Sequence, residues 1–292
     1  MRYIVVILSV FLALALFLGA WGVVRVRGWK SLTREIRREL ALKQSSANPG
    51  AYDPVEIASL PPPVRRYFET VLRPGQPMIT GVSMEHVGEI NLGSGRENWK
   101  PFVSTQRVTT DPPGFDWYGR VRLGPGIAAE VHDAYVGGRG ILCARAAGIV
   151  TLVHANGTPE VNKGELMRYL AEGAWYPTAL LPSRGISWEA VDDVSARAIL
   201  ADGDTEVALL FHFTPSGLIE SVLAEDRPMM DKGSVRPMRW EGRWRGEITV
   251  DGIRVPAEGE VAWLLSEGRK PYWRGRVTRI TYEFSGAEAV GS

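Results

Sequence analysis

Four stretches of this chain alternate residue by residue between two kinds of side chain. Trp117, Gly119, Val121 and Leu123 fall on one side while Tyr118, Arg120 and Arg122 fall on the other. The same split recurs at Val207, Leu209, Phe211 and Phe213, at Trp240, Gly242, Trp244, Gly246, Ile248 and Val250, and at Ile253, Val255, Ala257, Val261 and Trp263. A period of two is the period of a pleated strand with one buried face. Short turn sequences separate these stretches: Gly137-Gly138, Asp202-Gly203-Asp204, Pro215-Ser216-Gly217 and Asp251-Gly252. Such spacings suit hairpins and leave no room for the crossover helices that parallel strands need. The pattern disfavours parallel α/β folds and predicts a mainly β (α+β) chain, built on a large antiparallel curved sheet or half-barrel. The chain's 10 Trp, 9 Tyr and 8 Phe suit a pleated surface and are expected along one side of that sheet.

Helices punctuate the pattern. Asn162 and Glu165 in NKGELMRYLAEG make a capping-box-like start, with Gly173 as C-terminal cap and Leu166 and Leu170 as core pair, so a helical insertion is predicted there. Asp53-Pro54 offers an N-cap and first-turn proline. A second helix is expected from Pro61-Pro62-Pro63 through VRRYFETVL, with Val64, Phe68 and Leu72 on one face. Trp175-Tyr176-Pro177 and Leu180-Leu181-Pro182 follow the insertion and read as core packing, or as an apolar lid over the sheet. Residues 54–285 are thereby read as one β-rich domain, a size that a single large β domain can reach.

The N-terminus has a different character. Tyr3 to Val24 is a run of 22 residues without a charge, and about 20 apolar residues cross a bilayer as a helix. A cleaved secretory signal has a shorter core, and Leu18-Gly19-Ala20 is a poor cleavage site. Residues 1–25 are therefore expected to be a transmembrane anchor of a single-pass cell-membrane protein, with the bilayer as a partner. Residues 26–53 follow as a juxtamembrane basic helix, with Leu32, Ile36 and Leu40 on one face, and a linker; residues 286–292 form a flexible tail. Arg25, Arg27, Lys30, Arg34, Arg37, Arg38 and Lys43 follow the run and only Arg2 precedes it, a bias that favours a cytoplasmic domain.

Chemistry is harder to find. With 34 basic and 33 acidic residues the net charge is +1, so no global field draws the chain to nucleic acid. The single cysteine, Cys143, forms no intrachain disulfide and sits between Leu142 and Ala144 as a buried small residue. Phosphate-loop, dinucleotide, H-E-x-x-H and G-x-S-x-G motifs are missing from the sequence. His86, His132, His154 and His212 stand apart without metal-ligand spacing. No cofactor or metal is expected. Alternation does place His86 beside Val82, Met84 and Ile90, and Asp133 beside Val131 and Tyr135, so both enter an apolar face; an imidazole and a carboxylate there could act as base and orienter.

The segments LPPPVRRYF (Leu60 to Phe68), WKPF (Trp99 to Phe102), PPGFDW (Pro112 to Trp117), ELMRYLAEGAWYPTALLP (Glu165 to Pro182), GEVAWLL and PYWRGRVTRITYEF resemble the signatures of an uncharacterised prokaryotic family whose members pair a membrane segment with this domain. The resemblance brings no activity or site residue. More loosely, the long meander with a helical plug resembles lipoprotein-carrier half-barrels, which implies shelter for acyl chains and an extracytoplasmic domain, against the charge bias. The expected function is a non-enzymatic module that binds a lipid or other apolar ligand through Trp117, Val121, Phe211, Trp240, Trp244 and Trp263. The alternatives are a membrane-tethered hydrolase-like enzyme using His86 and Asp133, and a structural, partner-binding module.

Overall fold

The computed structural model describes residues 28–45, 50–93, 95–147, 150–231 and 234–285. The anchor expected at residues 1–25 and the tail expected at 286–292 lie outside these residues. Among the described residues no helix is long and apolar enough to cross a membrane.

Two meanders make the fold. The first runs through β1 (Ile79–Asn91), β2 (Trp99–Thr110), β3 (Pro113–Gly124), β4 (Ile127–Val136), β5 (Arg139–Ala146) and β6 (Val150–Asn156). The second runs through β7 (Ser187–Ala190), β8 (Ser195–Asp202), β9 (Thr205–Phe213), β10 (Ile219–Asp231) and β11 (Ser234–Arg245). After a small hairpin of β12 (Ile248–Val250) and β13 (Ile253–Val255), β14 (Glu258–Leu265) and β15 (Gly268–Phe284) return the chain to the middle. The 17-residue β15 pairs antiparallel with both β1 and β14, so the two meanders become one 13-stranded sheet in the order β6-β5-β4-β3-β2-β1-β15-β14-β11-β10-β9-β8-β7. The sheet curls as a large antiparallel half-barrel.

Its curvature is written in glycine. Gly88, Gly275 and Gly259 stand side by side on β1, β15 and β14, and a Cβ on Gly88 would come within 2.1 Å of the Arg274 carbonyl. Only a glycine lets the strands close to that distance. A related device repeats as Trp-x-Gly: an added Cβ at Gly119 would meet the Trp117 ring at 2.2 Å, and one at Gly275 would meet the Trp273 ring at 2.7 Å. The glycine two residues on shares the tryptophan's face, so the indole lies down along its own strand rather than standing up from the sheet.

The strand expected from Trp240 to Val250 is interrupted. Gly246 adopts a φ of +64°, β11 stops at Arg245, and Ile248–Val250 turns away to pair with Ile253–Val255. Positive φ at Asp251 and Gly252 closes that hairpin, as a two-residue turn requires.

Two helical segments fill the concave side. Pro62–Val71 forms α2 (the first described helix, residues 28–43, being α1), with Val64, Phe68 and Val71 buried. Pro159–Glu172 forms α3, followed by 3-10 turns at Gly173–Trp175 and Pro177–Leu180. This stretch bridges the end of the first meander and the start of the second, and α3 packs against β3, β4, β5, β9 and β10. The expected cap at Asn162 is displaced: the helix begins at Pro159 with Thr158 as N-cap, and Asn162 Oδ1 accepts a hydrogen bond from Gly140 N on β5. Gly173 does stand at the helix end, in right-handed conformation; a Cβ there would press on Leu180.

The convex side carries α1. Trp29, Ile36 and Leu40 pack on Ala134, Val136, Ile141 and Cys143, the outward residues of β4 and β5. The apolar face read as a juxtamembrane helix is thus a docking face, and α1 belongs to the domain. A buried polar chain fastens it: Thr33 Oγ1 lies 2.7 Å from His132 Nε2, His132 Nδ1 lies 2.7 Å from Asp116 Oδ1, and Arg37 Nε donates to Asp116 Oδ2 at 3.0 Å. Asp116 and His132 are wholly buried. Nothing in the alternation of β4 marks His132 as a docking residue, because the helix that covers it lies about 100 residues earlier in the chain.

Candidate functional site

Between α3 and the inner face of the sheet lies a cavity of about 350 Å³. That is the lower end of the size range that ligand sites occupy. Its wall is aromatic. Trp117 of β3, Trp240 and Trp244 of β11, Trp263 of β14, Tyr272 and Trp273 of β15, and Trp175 after α3 all face it. The strands bring them together through register: Trp240 pairs with Trp263, and Val261 with Trp273. Contacts between rings lock the wall: Trp175 meets Trp244 edge-on at 4.6 Å, and Trp263 stacks on Tyr272 at 5.7 Å. Trp240 Nε1 donates to the Tyr272 hydroxyl at 2.9 Å. Met229, Met230 and Val235, from β10 and β11, complete one side, with Met230 and Val235 substantially exposed.

Of the six residues expected to bind a ligand, Trp117, Trp240, Trp244 and Trp263 line this cavity. Val121 and Phe211 do not: both are buried in the main core, where Phe211 packs edge-on against Trp188. They share a face with the cavity residues but stand elsewhere along the curl. Trp175 and Trp273 were outside the sequence-based set. Trp273 carried a signal, since Trp273-Arg274-Gly275 repeats the Trp-x-Gly pattern of 117–119 and 240–242.

Charge enters from α3. Arg168 Nη1 donates to Asp133 Oδ2 at 2.5 Å and Nε donates to Glu172 Oε1 at 2.8 Å. Its guanidinium also lies over the rings of Phe115 and Trp117. Burial opposes the positive charge, yet the Glu172 and Asp133 carboxylates outweigh it and hold Arg168 above its ordinary value. Glu165 is 6 % exposed. Burial and the adjacent Asp133 carboxylate raise it well above the usual carboxylate range. It therefore keeps its proton where a free glutamate has lost it.

His86 and Asp133 both point to the inner face, as alternation requires, but they are not a hydrogen-bonded pair. Asp133 is held by Arg168, while His86 Nδ1 lies 3.3 Å from Ser104 Oγ and its ring packs against Trp175 and Trp273. His86 is outside the cavity lining. Burial, reinforced by the Arg168 charge, lowers its pKa to about 3, so the ring is neutral across the physiological range. Among the described residues no group of three or more His, Cys, Asp or Glu is placed to hold a metal ion.

The chain is similar in fold to several solved structures. An outer membrane lipoprotein-sorting protein domain from Vibrio parahaemolyticus is 10 % identical, with 72 % of this chain and 87 % of that one covered at a TM-score of 0.38. A DUF1329 family protein from Desulfovibrio piger is 14 % identical, with 81 % and 96 % covered at 0.40. A LolA superfamily protein from Nitrosomonas europaea is 10 % identical, with 76 % and 92 % covered at 0.30. No curated protein matches the chain. Residues 58–282 match the profile of a family of unknown function (DUF6920), and the match spans both meanders, the plug and nearly all of the closing strand β15. The chain is a member of that family.

Proposed function

We propose that the domain binds an apolar ligand with at least one extended chain, without chemical transformation, and that it does so at a membrane to which Tyr3–Val24 anchors it. The observation that carries this reading is the cavity: about 350 Å³, walled by six tryptophans, beneath a helix that spans both meanders. Large apolar rings with a few polar groups at one side are the usual composition of a site for an apolar small molecule. A hydrolase reading lacks its first requirement, a nucleophile or base hydrogen-bonded to its orienter, because His86 and Asp133 have other partners.

Gly164 provides the test. It lies buried on the cavity side of α3, and an added Cβ would meet nothing within 4 Å. Gly164→Leu should fold at least as well as the native chain, since glycine in a helix interior costs about 1 kcal/mol relative to alanine, while its side chain fills the site. Native mass spectrometry of the full chain released from detergent, with lipid extraction, is expected to give one bound apolar species per native molecule and none on Gly164→Leu. Loss of that species only in the variant supports the cavity; no bound species on either, even after incubation with fatty acids and lipids, removes the proposal.

A further inference from the structure

We propose that Arg227 receives the acidic head group, a carboxylate or a phosphate, of an amphiphile whose apolar chain fills the cavity; this rests on the reading of that cavity as an apolar-ligand site.

Arg227 lines the cavity and is 8 % exposed. Unlike Arg168, it makes no ion pair within 4.0 Å among the described residues, and its Nη1 has no hydrogen-bond partner. The group it packs on is a ring, the guanidinium carbon lying 5.0 Å from the centroid of Trp240, and although its charge reaches Glu165, that carboxyl makes no ion pair with it and keeps its proton. A buried charge without a counter-charge is costly, and arginine's fork of donors matches the oxygens of a carboxylate or phosphate.

The backbone is arranged to put it there. Along β10, Val222 and Ala224 face inward, and strict alternation would send Asp226 in and Arg227 out. A bulge between Ala224 and Arg227 breaks the register against β11, leaving both Glu225 and Asp226 exposed and turning Arg227 inward. Bulges are a recurrent means of re-aiming a side chain beside a site.

The surrounding carboxylates do not supply the missing partner. Asp133 and Glu172 are both engaged by Arg168. Glu165 keeps its proton, which leaves it able to donate. Two further cavity residues, Trp117 and Trp244, carry buried Nε1 donors without partners. Asp133 Oδ1 and Glu165 Oε2 at this wall also lack partners, but the proton that Glu165 keeps is one the two carboxyls can share. The donors left over, Arg227 Nη1 and the two indole Nε1 atoms, are what the acceptor-rich head of an acidic amphiphile fits. A cationic head would meet the Arg227 charge, and of the nearby carboxylates Glu172 is held through both oxygens, by Arg168 and Gln106, and Asp133 through one, by Arg168.

The test offers the full chain in detergent an equimolar set of four C16 amphiphiles: hexadecanoate, hexadecyl phosphate, hexadecanol and hexadecyltrimethylammonium. Occupancy is read by native mass spectrometry. At least one of the two anions is expected to bind about tenfold or more tightly than the alcohol, in line with the strength of a hydrogen bond to a charged group. Which anion leads separates a fatty-acid type of ligand from a phospholipid type. Arg227→Met should bring the anion-to-alcohol ratio to within about twofold, and Arg227→Lys should keep most of the preference. An alcohol or ammonium compound that binds as well as the anions on the native chain overturns the role of Arg227 and leaves the cavity standing, as does a ratio unchanged in Arg227→Met. Failure of all four to bind removes the cavity reading together with it.

Discussion

Arg168→Met is expected to lower folding stability by about 3–5 kcal/mol, the cost of breaking a buried ion pair from one side. The arginine joins two carboxylates, Asp133 on β4 and Glu172 at the end of α3, whose side chains are only 20 % and 10 % exposed. Methionine replaces the stem but leaves both carboxylates without their cation, Asp133 with the Glu165 carboxyl beside it. Urea denaturation should show a lower midpoint with an unchanged slope, since the surface exposed on unfolding is the same. The triple variant Arg168→Met, Asp133→Asn, Glu172→Gln should recover part of the loss, because it removes the uncompensated charges as well as the pair. If Arg168→Met alone costs less than about 1 kcal/mol, the ion triad does not hold the plug on the sheet.

Acid should weaken the domain through His86. In the unfolded chain the imidazole takes its proton near pH 6.5, while in the fold it does so only near pH 3. Below pH 6.5 the unfolded state therefore binds more protons. Stability from this group is complete above pH 6.5 and is lost as the pH falls toward 3, at a limiting rate of about 1.4 kcal/mol per pH unit. Glu165 acts with the opposite sign: its raised pKa means that the fold retains a proton which the unfolded chain gives up above about pH 4.5, so its contribution declines as the pH rises from there. The two slopes oppose each other between pH 4.5 and 6.5, and the difference between the native and His86→Leu stability curves isolates the histidine. That difference should shrink steadily from pH 6.5 down to pH 4; a constant difference would show that His86 is not held neutral by burial.

Much of this architecture was legible in the sequence because it depends on local periodicity. The alternation at 117–123 and 207–213 gave inward Trp117, Val121, Leu209 and Phe211, and the glycine turns gave the hairpins. What failed were features set by breaks in that periodicity. Gly246 ended β11 early, and the bulge in β10 reversed the facing of Arg227, which strict alternation assigns to the outside. Contacts between distant segments were equally hidden. The docking of α1 on His132 and Asp116 joins residues 79 to 99 positions apart, and the placement of Trp175 beside Trp244 and of Trp273 against Phe102 depends on how the sheet curls, not on either strand alone. The Trp-x-Gly repeat was the one local clue to that curl, because a missing Cβ is what lets each indole lie flat.

The most direct measurement is a crystal structure of the domain soaked with a fatty acid brominated along its chain, with the bromine located by its anomalous scattering. The account predicts a peak between α3 and the sheet, in contact with Trp240 and Trp244, and no such peak in Gly164→Leu. Bromine found only outside that cavity, or unchanged there in the variant, would contradict it.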